Sequence, residues 1–417
     1  MSNSSIKCVD TACEECDLLL PAVALSAGSK ISCPRCGHTI SDVAESPLAE
    51  PIAYALTSMI MLVLTYLFPF MSFSASGNTS SIYFYQAMSS LFANDFVSIG
   101  VFLLLSLTIL PLLCLLLVTY IHIALYFDKS QLSLKHLKLL QAIKPWMMVD
   151  VFLIGILVAL VKIMSMAEVG FGLSFWAFVL FTLAFLKTLT SIDLHWLWRK
   201  IAGPLPQYKV PETVLSCVQS ELAHCHYCDA LSPHNHTHCL RCNAPLKHQT
   251  RHNTTHCVAF LIAAMVFYIP ANLFPMMDMQ LLGQSEPSTI IGGVILLWQL
   301  KSYPVAMVIF FASVMIPISK MVAIAWLCYT CKRNHPEQAK QQLKIYRITE
   351  FIGRWSMIDV FVVAILVALV HLEGLVTVYP GQAAVSFAAV VVLTMLSAMS
   401  FDPRIIWDPS LQSEHKK

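Results

Sequence analysis

Eight stretches of this chain are long and apolar enough to cross a lipid bilayer, and no other feature constrains its fold as much. A transmembrane helix needs about 20 mostly apolar residues. Within hydrocarbon it must also pair every backbone N–H and C=O inside the segment. Such runs cover residues 52–73, 98–127, 145–168, 173–195, 256–277, 303–331, 355–373 and 379–400. The second and sixth exceed the minimum, and each contains a proline, Pro111 and Pro317, so tilt or a kink is expected there. Of the 417 residues, 57% are hydrophobic and 12% charged, against about 45–50% and about 25% in a soluble domain. This excludes a soluble globular enzyme, a disordered chain and a coiled coil. A formal net charge of +2 gives no reason to expect nucleic acid as a partner.

Basic residues set the orientation. Twenty-two of the 26 fall in segments that alternate to one side of the eight spans, namely the amino-terminal stretch, the even-numbered connections and the tail, and the opposite loops hold only Lys301. By the positive-inside rule both termini are expected in the cytoplasm, which an even number of spans also requires. Residues 1–50 are polar and Cys-rich, without the charged and apolar regions of a secretory signal, so they are expected to stay on the side where they are made. On the opposite side, segments 80–96 and 288–300 are apolar but too short or broken to span. They read either as interfacial or re-entrant helices or as ordinary helices covering the spans.

The chain repeats itself. Trp146-Met147-Met148-Val149-Asp150-Val151-Phe152 matches Trp355-Ser356-Met357-Ile358-Asp359-Val360-Phe361 at a spacing of 209, and Asp193 and Trp198 match Asp402 and Trp407 at the same spacing. Phe68-Pro69 and Pro111 match Phe274-Pro275 and Pro317 at 206. Four spans per copy give both copies the same orientation, hence parallel repeats about an axis normal to the membrane, with a path or cavity expected between them.

The cysteines follow the repeat. Cys13-x-x-Cys16 and Cys33-x-x-Cys36 precede the first set of spans, and Cys225-x-x-Cys228 and Cys239-x-x-Cys242 precede the second, with 16 residues between knuckles in the first pair and 10 in the second. Four thiolates from two tight turns surround a tetrahedral ion at about 2.3 Å. In a reducing cytosol the spacing indicates metal rather than disulfides. Two structural zinc sites are expected; iron held by the same ligands and thiol redox chemistry are the alternatives. His224, His226, His234, His236 and His238 crowd the second module, either as solvated loop residues or as substitutes for a thiolate. Cys328-x-x-Cys331 has no copy in the first half and is expected to be apolar helix surface.

An ionisable group inside a span is costly and a functional candidate by default. Lys187 and Lys320 lie deepest by position, Lys162 lies nearer an end from which it can snorkel, and Asp150, Asp359 and Arg354 lie near the cytoplasmic ends. They define either an intramembrane polar pathway between the halves or a set of buried ion pairs locking the spans. No GxxxxGK[ST], HExxH or GxSxG motif occurs, so no catalytic constellation is visible and the chain is expected not to be an enzyme.

The expected fold is an all-α polytopic membrane protein of eight transmembrane helices in two tandem four-helix repeats, each preceded by a small cytoplasmic zinc ribbon. The divisions are 1–48 and 204–252 for the ribbons, 49–203 and 253–408 for the membrane domains, and 409–417 for a cytoplasmic tail. The repeated double knuckle before four spans resembles the paraquat-inducible protein A family. So do Ser302-Tyr303-Pro304-Val305-Ala306, the run at 312–328, the stretch Gly353-Arg354-Trp355-Ser356-Met357-Ile358-Asp359-Val360-Phe361, and Phe401-Asp402-Pro403-Arg404 before Trp407. The resemblance covers nearly the whole chain. It implies a bacterial inner-membrane protein that works with a periplasmic MCE-domain tunnel protein in phospholipid traffic between membranes and in envelope integrity. It places zinc on the eight knuckle cysteines and intramembrane polar roles on Lys320 and Asp359. The rival readings are a membrane thiol or metal redox or stress-sensing protein, and a secondary transporter of a lipophilic solute.

Overall fold

The computed structural model describes residues 6–21, 25–75, 78–93, 97–127, 134–163, 168–246, 252–281, 284–299, 301, 303–330, 338–355, 357–358, 361–362, 365 and 376–407. The chain opens with two antiparallel hairpins, β1 (Ile6–Ala12) with β2 (Leu19–Pro21) and β3 (Lys30–Ser32) with β4 (Thr39–Asp42). Helix α1 (Ala49–Leu67) follows, with Pro51 in its first turn, where its missing N–H is not needed. Nineteen residues at about 1.5 Å each carry the chain roughly 28 Å, to the end of the spans opposite the cysteine modules. There β5 (Pro69–Ala75) and β6 (Asn78–Tyr83) form a hairpin leading into α2 (Phe84–Ala93). The chain returns through α3 (Val97–Leu104), a π-helical turn at Leu105–Ile109 and α4 (Leu110–Tyr126). Helix α5 (Leu134–Ile143) and a 3₁₀ turn, Lys144–Trp146, introduce α6 (Val149–Ile163). Strand β7 (Glu168–Phe171) then pairs with β5, and α7 (Leu173–Ser191) leads back to α8 (Leu194–Ala202).

The second module contributes β8 (Tyr208–Pro211), β9 (Leu222–His224) and β10 (Leu231–Pro233). The second set of elements is α9 (His252–Leu273), β11 (Met277–Leu281), β12 (Gln284–Ser288), α10 (Ile290–Gln299), α11 (Tyr303–Phe310), a π-helical turn at Phe311–Met315, α12 (Ile316–Thr330), α13 (Ala339–Trp355), β13 (Val376–Pro380) and α14 (Gln382–Ser400). Among the described residues, seven helical stretches are long and apolar enough to span: 49–67, 100–126, 134–160, 173–191, 255–273, 311–330 and 383–400. The eighth expected span, 355–373, lies largely outside the described residues.

Three features correct or sharpen the sequence reading. The chain is mostly helical rather than all-α, because its two sets of spans each carry a three-stranded antiparallel sheet, β6-β5-β7 and β12-β11-β13, at the end opposite the modules. The short apolar segments hold helices, α2 and α10, each entered directly from such a sheet. The long spans with Pro111 and Pro317 contain a π-helical turn instead of a broken helix. A proline ring clashes with the carbonyl four residues before it, here Leu107 and Ser313, and the wider π turn at that place relieves the clash.

The Phe-Pro repeat also has a structural reason. A Cβ on Gly172 would lie 1.9 Å from the Pro69 carbonyl oxygen, and one on Gly381 would lie 2.0 Å from that of Pro275. Strand and helix start are this close because the Gly172 and Gly381 N–H groups donate to Phe70 O (3.0 Å) and Met276 O (2.9 Å). In the first half α1 packs on α7 and α4, and in the second α9 packs on α14. The halves meet where Gly155 of α6 faces Phe361: a Cβ on Gly155 would lie 3.2 Å from the Phe361 Cβ. Phe361 also packs edge-on against Phe152, ring centroids 5.4 Å apart. A small residue at such a crossing permits the close backbone approach that drives helix association in lipid.

Candidate metal centres

Four chain reversals build the two cysteine clusters, and all four follow one rule. The residue after each knuckle, Asp17, Gly37, Asp229 or Asn243, has φ between 55° and 72°. Gly, Asn and Asp are the residues that tolerate this left-handed region. The same residue donates its own N–H to the carbonyl of the first cysteine and so closes the knuckle: Asp17 to Cys13 O (2.9 Å), Gly37 to Cys33 O (2.9 Å), Asp229 to Cys225 O (3.0 Å) and Asn243 to Cys239 O (2.9 Å). Both thiols of each knuckle then face the same point.

Knuckles converge in pairs. Sγ atoms of Cys13 and Cys36 are 3.5 Å apart, as are those of Cys16 and Cys33. In the second cluster Cys225 and Cys242 are 3.6 Å apart, and Cys228 and Cys239 3.5 Å. A disulfide would require about 2.05 Å, whereas the edge of a tetrahedron with 2.3 Å metal–sulfur bonds is about 3.8 Å. All four ligand atoms in each cluster lie within 4.8 Å of one another, and seven of the eight cysteines are buried. The donor set therefore fits a tetrahedral thiophilic ion, held with no open position. The 16-residue spacer of the first module and the 10-residue spacer of the second reach the same geometry.

The histidines stay out of both clusters. His226, His234 and His238 are exposed and His236 is partly so. His224 is buried on β9, 3.6 Å from Asp229, and burial pulls its imidazole down to about 4. Glu15, inside the first knuckle, accepts from Arg347 of α13 and lies 3.2 Å from His38. Burial pushes the Glu15 carboxyl up, and the hydrogen bonds from His38 and Arg347 outweigh it, holding it at about 2. The two modules are not separate beads: β1 pairs antiparallel with β8, from Ile6 opposite Pro211 to Val9 opposite Tyr208. The Asp17 side chain accepts from Cys217 N–H at 2.9 Å. No sequence signal marks these long-range contacts.

Of the intramembrane candidates, Lys320 stands apart. It is 2% exposed, halfway along the span 311–330, and its Nζ has no hydrogen-bond partner among the described residues. That Nζ lies 3.2 Å from where a Gly353 Cβ would be, so Gly353 leaves the space the ammonium occupies. Lys187 is shallower than its sequence position indicates. Its helix ends at Ser191, not at 195, so the side chain sits one turn from the module end, exposed, with Nζ 5.8 Å from the Tyr54 ring centroid. Asp150 lies in the first turn of α6, partly buried, with no ion pair among the described residues. The side chains of Lys162 and Arg354, and all of Asp359 and Cys331, lie outside the described residues. Cys328 is not merely helix surface: it is buried with its Sγ 3.6 Å from that of Cys257 on α9.

Fold and site together make this a polytopic, mostly helical membrane protein carrying two four-cysteine modules whose geometry fits a metal ion. The family model for paraquat-inducible protein A matches the chain twice, at residues 48–202 and 254–410. The protein belongs to the paraquat-inducible protein A family. It is 40% identical over 410 residues, 97% of each chain, to the Intermembrane transport protein PqiA of Escherichia coli K12. It is 27% identical to the Lipophilic envelope-spanning tunnel protein A of the same organism, over 95% of this chain and 90% of that one. It is 28% identical to a Probable intermembrane transport protein of Haemophilus influenzae, over 95% of both. No solved structure matches the chain.

Proposed function

We propose that this protein is the inner-membrane subunit of an intermembrane lipid transport system, passing phospholipid to or from a periplasmic MCE-domain tunnel protein and so supporting envelope integrity. The observation that carries this reading is the 40% identity over nearly the full length to a relative named as an intermembrane transport protein. The matched length includes both cysteine modules and both sets of spans. In this reading the chain has eight spans in two four-helix domains, 49–203 and 253–408, with ribbons 1–48 and 204–252 and the tail 409–417 in the cytoplasm. The clusters hold structural zinc. The sheets β6-β5-β7 and β12-β11-β13, with α2 and α10, then face the periplasm and form the surface on which a tunnel protein docks. Helix α10 supports this, since Ile291, Ile295, Leu296 and Trp298 are exposed on it. Lys320 is the best-placed member of an intramembrane polar pathway that also includes Lys187, Lys162, Asp150, Asp359 and Arg354.

Affinity capture of the full-length chain from native membranes, followed by mass spectrometry of protein and lipid, tests the proposal. Recovery of an MCE-domain protein with co-purified phospholipid is the expected result. Recovery of neither would overturn it.

A further inference from the structure

The contacts between cysteine modules and membrane helices form a reciprocal pattern. Lys138 of α5, in the first half, donates from Nζ to the carbonyl of Cys242, the last ligand of the second module, at 2.5 Å. Arg347 of α13, in the second half, donates to the carbonyl of Cys36, the last ligand of the first module, at 3.0 Å. Lys138 and Arg347 are related by the same spacing of 209 that relates Trp146 to Trp355. The third residue of each module's first knuckle completes the contact: Glu15 pairs with Arg347, and the Tyr227 ring lies 6.0 Å from the Lys138 Nζ.

A second pair of basic residues repeats the exchange. Arg35 and Arg241 occupy the same place in their second knuckles and donate to the carbonyls of Cys16 (3.4 Å) and Cys228 (3.1 Å). Arg35 also stacks over Trp407, at the exit of the second half, 4.5 Å from the ring centroid. Arg241 donates to the carbonyl of Trp198, at the exit of the first half, at 2.9 Å. Trp198 and Trp407 are again 209 apart. The first module touches its own half through Asp10 with Arg199 and through Ser41 and Asp42 with Asp193, all on its strands and none on its ligand turns.

We infer that the ribbons are clamped crosswise: metal in the first ribbon fixes α13 of the second half, and metal in the second ribbon fixes α5 of the first. The charge balance supports this. A divalent ion with four thiolates carries a net charge of −2, and each cluster receives two cationic side chains on the carbonyls of its own ligands. Outer-sphere donors of this kind orient and retain a metal. Loss of the ion, with the four thiolates taking up protons, discharges the cluster and frees the ligand turns, Glu15 among them, that hold Arg347 and Lys138, so the ordering of each ribbon passes to the opposite half and the two halves are coupled on the ribbon side.

The inference rests on the zinc reading, and the test separates the two. Full-length protein, R347M and K138M are purified in detergent and their zinc content is measured. Zinc is then withdrawn with EDTA while N-ethylmaleimide labels the cysteines, and each site is followed by peptide mass spectrometry. R347M should speed labelling of Cys13, Cys16, Cys33 and Cys36 about ten-fold and leave Cys225, Cys228, Cys239 and Cys242 unchanged. K138M should do the reverse. Equal acceleration of both sets, acceleration of the wrong set, or none would overturn the clamp while leaving the zinc reading intact. A wild-type chain that binds no zinc would overturn both. Should either variant misfold, hydrogen exchange on a C33S/C36S protein gives the second measurement. Faster exchange in α13 with α5 unchanged supports the clamp, and any other pattern overturns it.

Discussion

Lys320→Met removes the one buried intramembrane ammonium that has no hydrogen-bond partner among the described residues. The site is midway along its span and only 2% exposed, so the lysine cannot reach water by snorkelling. A lysine at the centre of a transmembrane helix costs about 2.5–3.5 kcal/mol on insertion scales. Methionine is unbranched and of similar length, so it fills the space beside Gly353 without the charge. The substitution should therefore stabilise the protein by about 2–3 kcal/mol, a factor of roughly 30 to 150 in the folded-to-unfolded ratio at ~1.4 kcal/mol per factor of ten. Reversible unfolding in mixed micelles reads the stability, and phospholipid exchange between vesicles reads transport. Higher stability with lost transport is the expected pair, the signature of a group kept for function at a cost in stability. Destabilisation by about 3–5 kcal/mol would instead identify Lys320 as one half of a buried ion pair and rule out an unpaired ammonium kept at a cost. Unchanged transport in a well-folded variant would remove Lys320 from the pathway.

Three further outcomes follow from the geometry. Gly172→Ala and Gly381→Ala place a methyl about 2 Å from a carbonyl oxygen, so each should cost about 3 kcal/mol, the upper end for overpacking, visible as a lower melting temperature. Asp193→Ala removes the acceptor for Trp196 N–H (3.0 Å), which caps α8, and for Ser41 Oγ and Asp42 N–H of the first ribbon. A loss of about 2–4 kcal/mol is expected from one cap and two charged hydrogen bonds, with faster exchange on β4. Elemental analysis of the purified protein should find a metal ion in each four-cysteine cluster. Cys225→Ser should halve the content, and chelation should unfold both modules because binding energy of about 10–16 kcal/mol is folding energy in such sites. An unchanged metal content in Cys225→Ser would contradict the assigned ligands.

Much of the candidate site is legible in the sequence because its signals are local. A CxxC knuckle and its left-handed closing residue occupy five consecutive positions, so Cys33-Pro-Arg-Cys36-Gly37 and Cys239-Leu-Arg-Cys242-Asn243 declare both ligand and turn. What each knuckle packs against is not local. Arg347 lies 332 residues from Glu15, and no periodicity relates two such positions. Sequence position places Lys187 too deep because the apolar run is read on to 195, whereas the helix ends at Ser191 and Asp193 already caps α8. The sheets opposite the modules are hidden for a related reason. Pro69–Ala75 and Glu168–Phe171 are short, and they become strands only when brought side by side.

Residue order alone carries the spans, their count and orientation as expectations, the two-fold repeat and the eight cysteines of the two clusters. These follow from what hydrocarbon and a tetrahedral ion each demand of neighbouring residues. The contact of the halves at Gly155 and Phe361, the joining of the two modules through β1 and β8, and the hydrogen bonds from the other half to each module's ligand turns come from the folded chain alone. Those choices depend on distance in space between groups remote in the chain. Electrostatics and close packing act on that distance, and the order of residues does not record it.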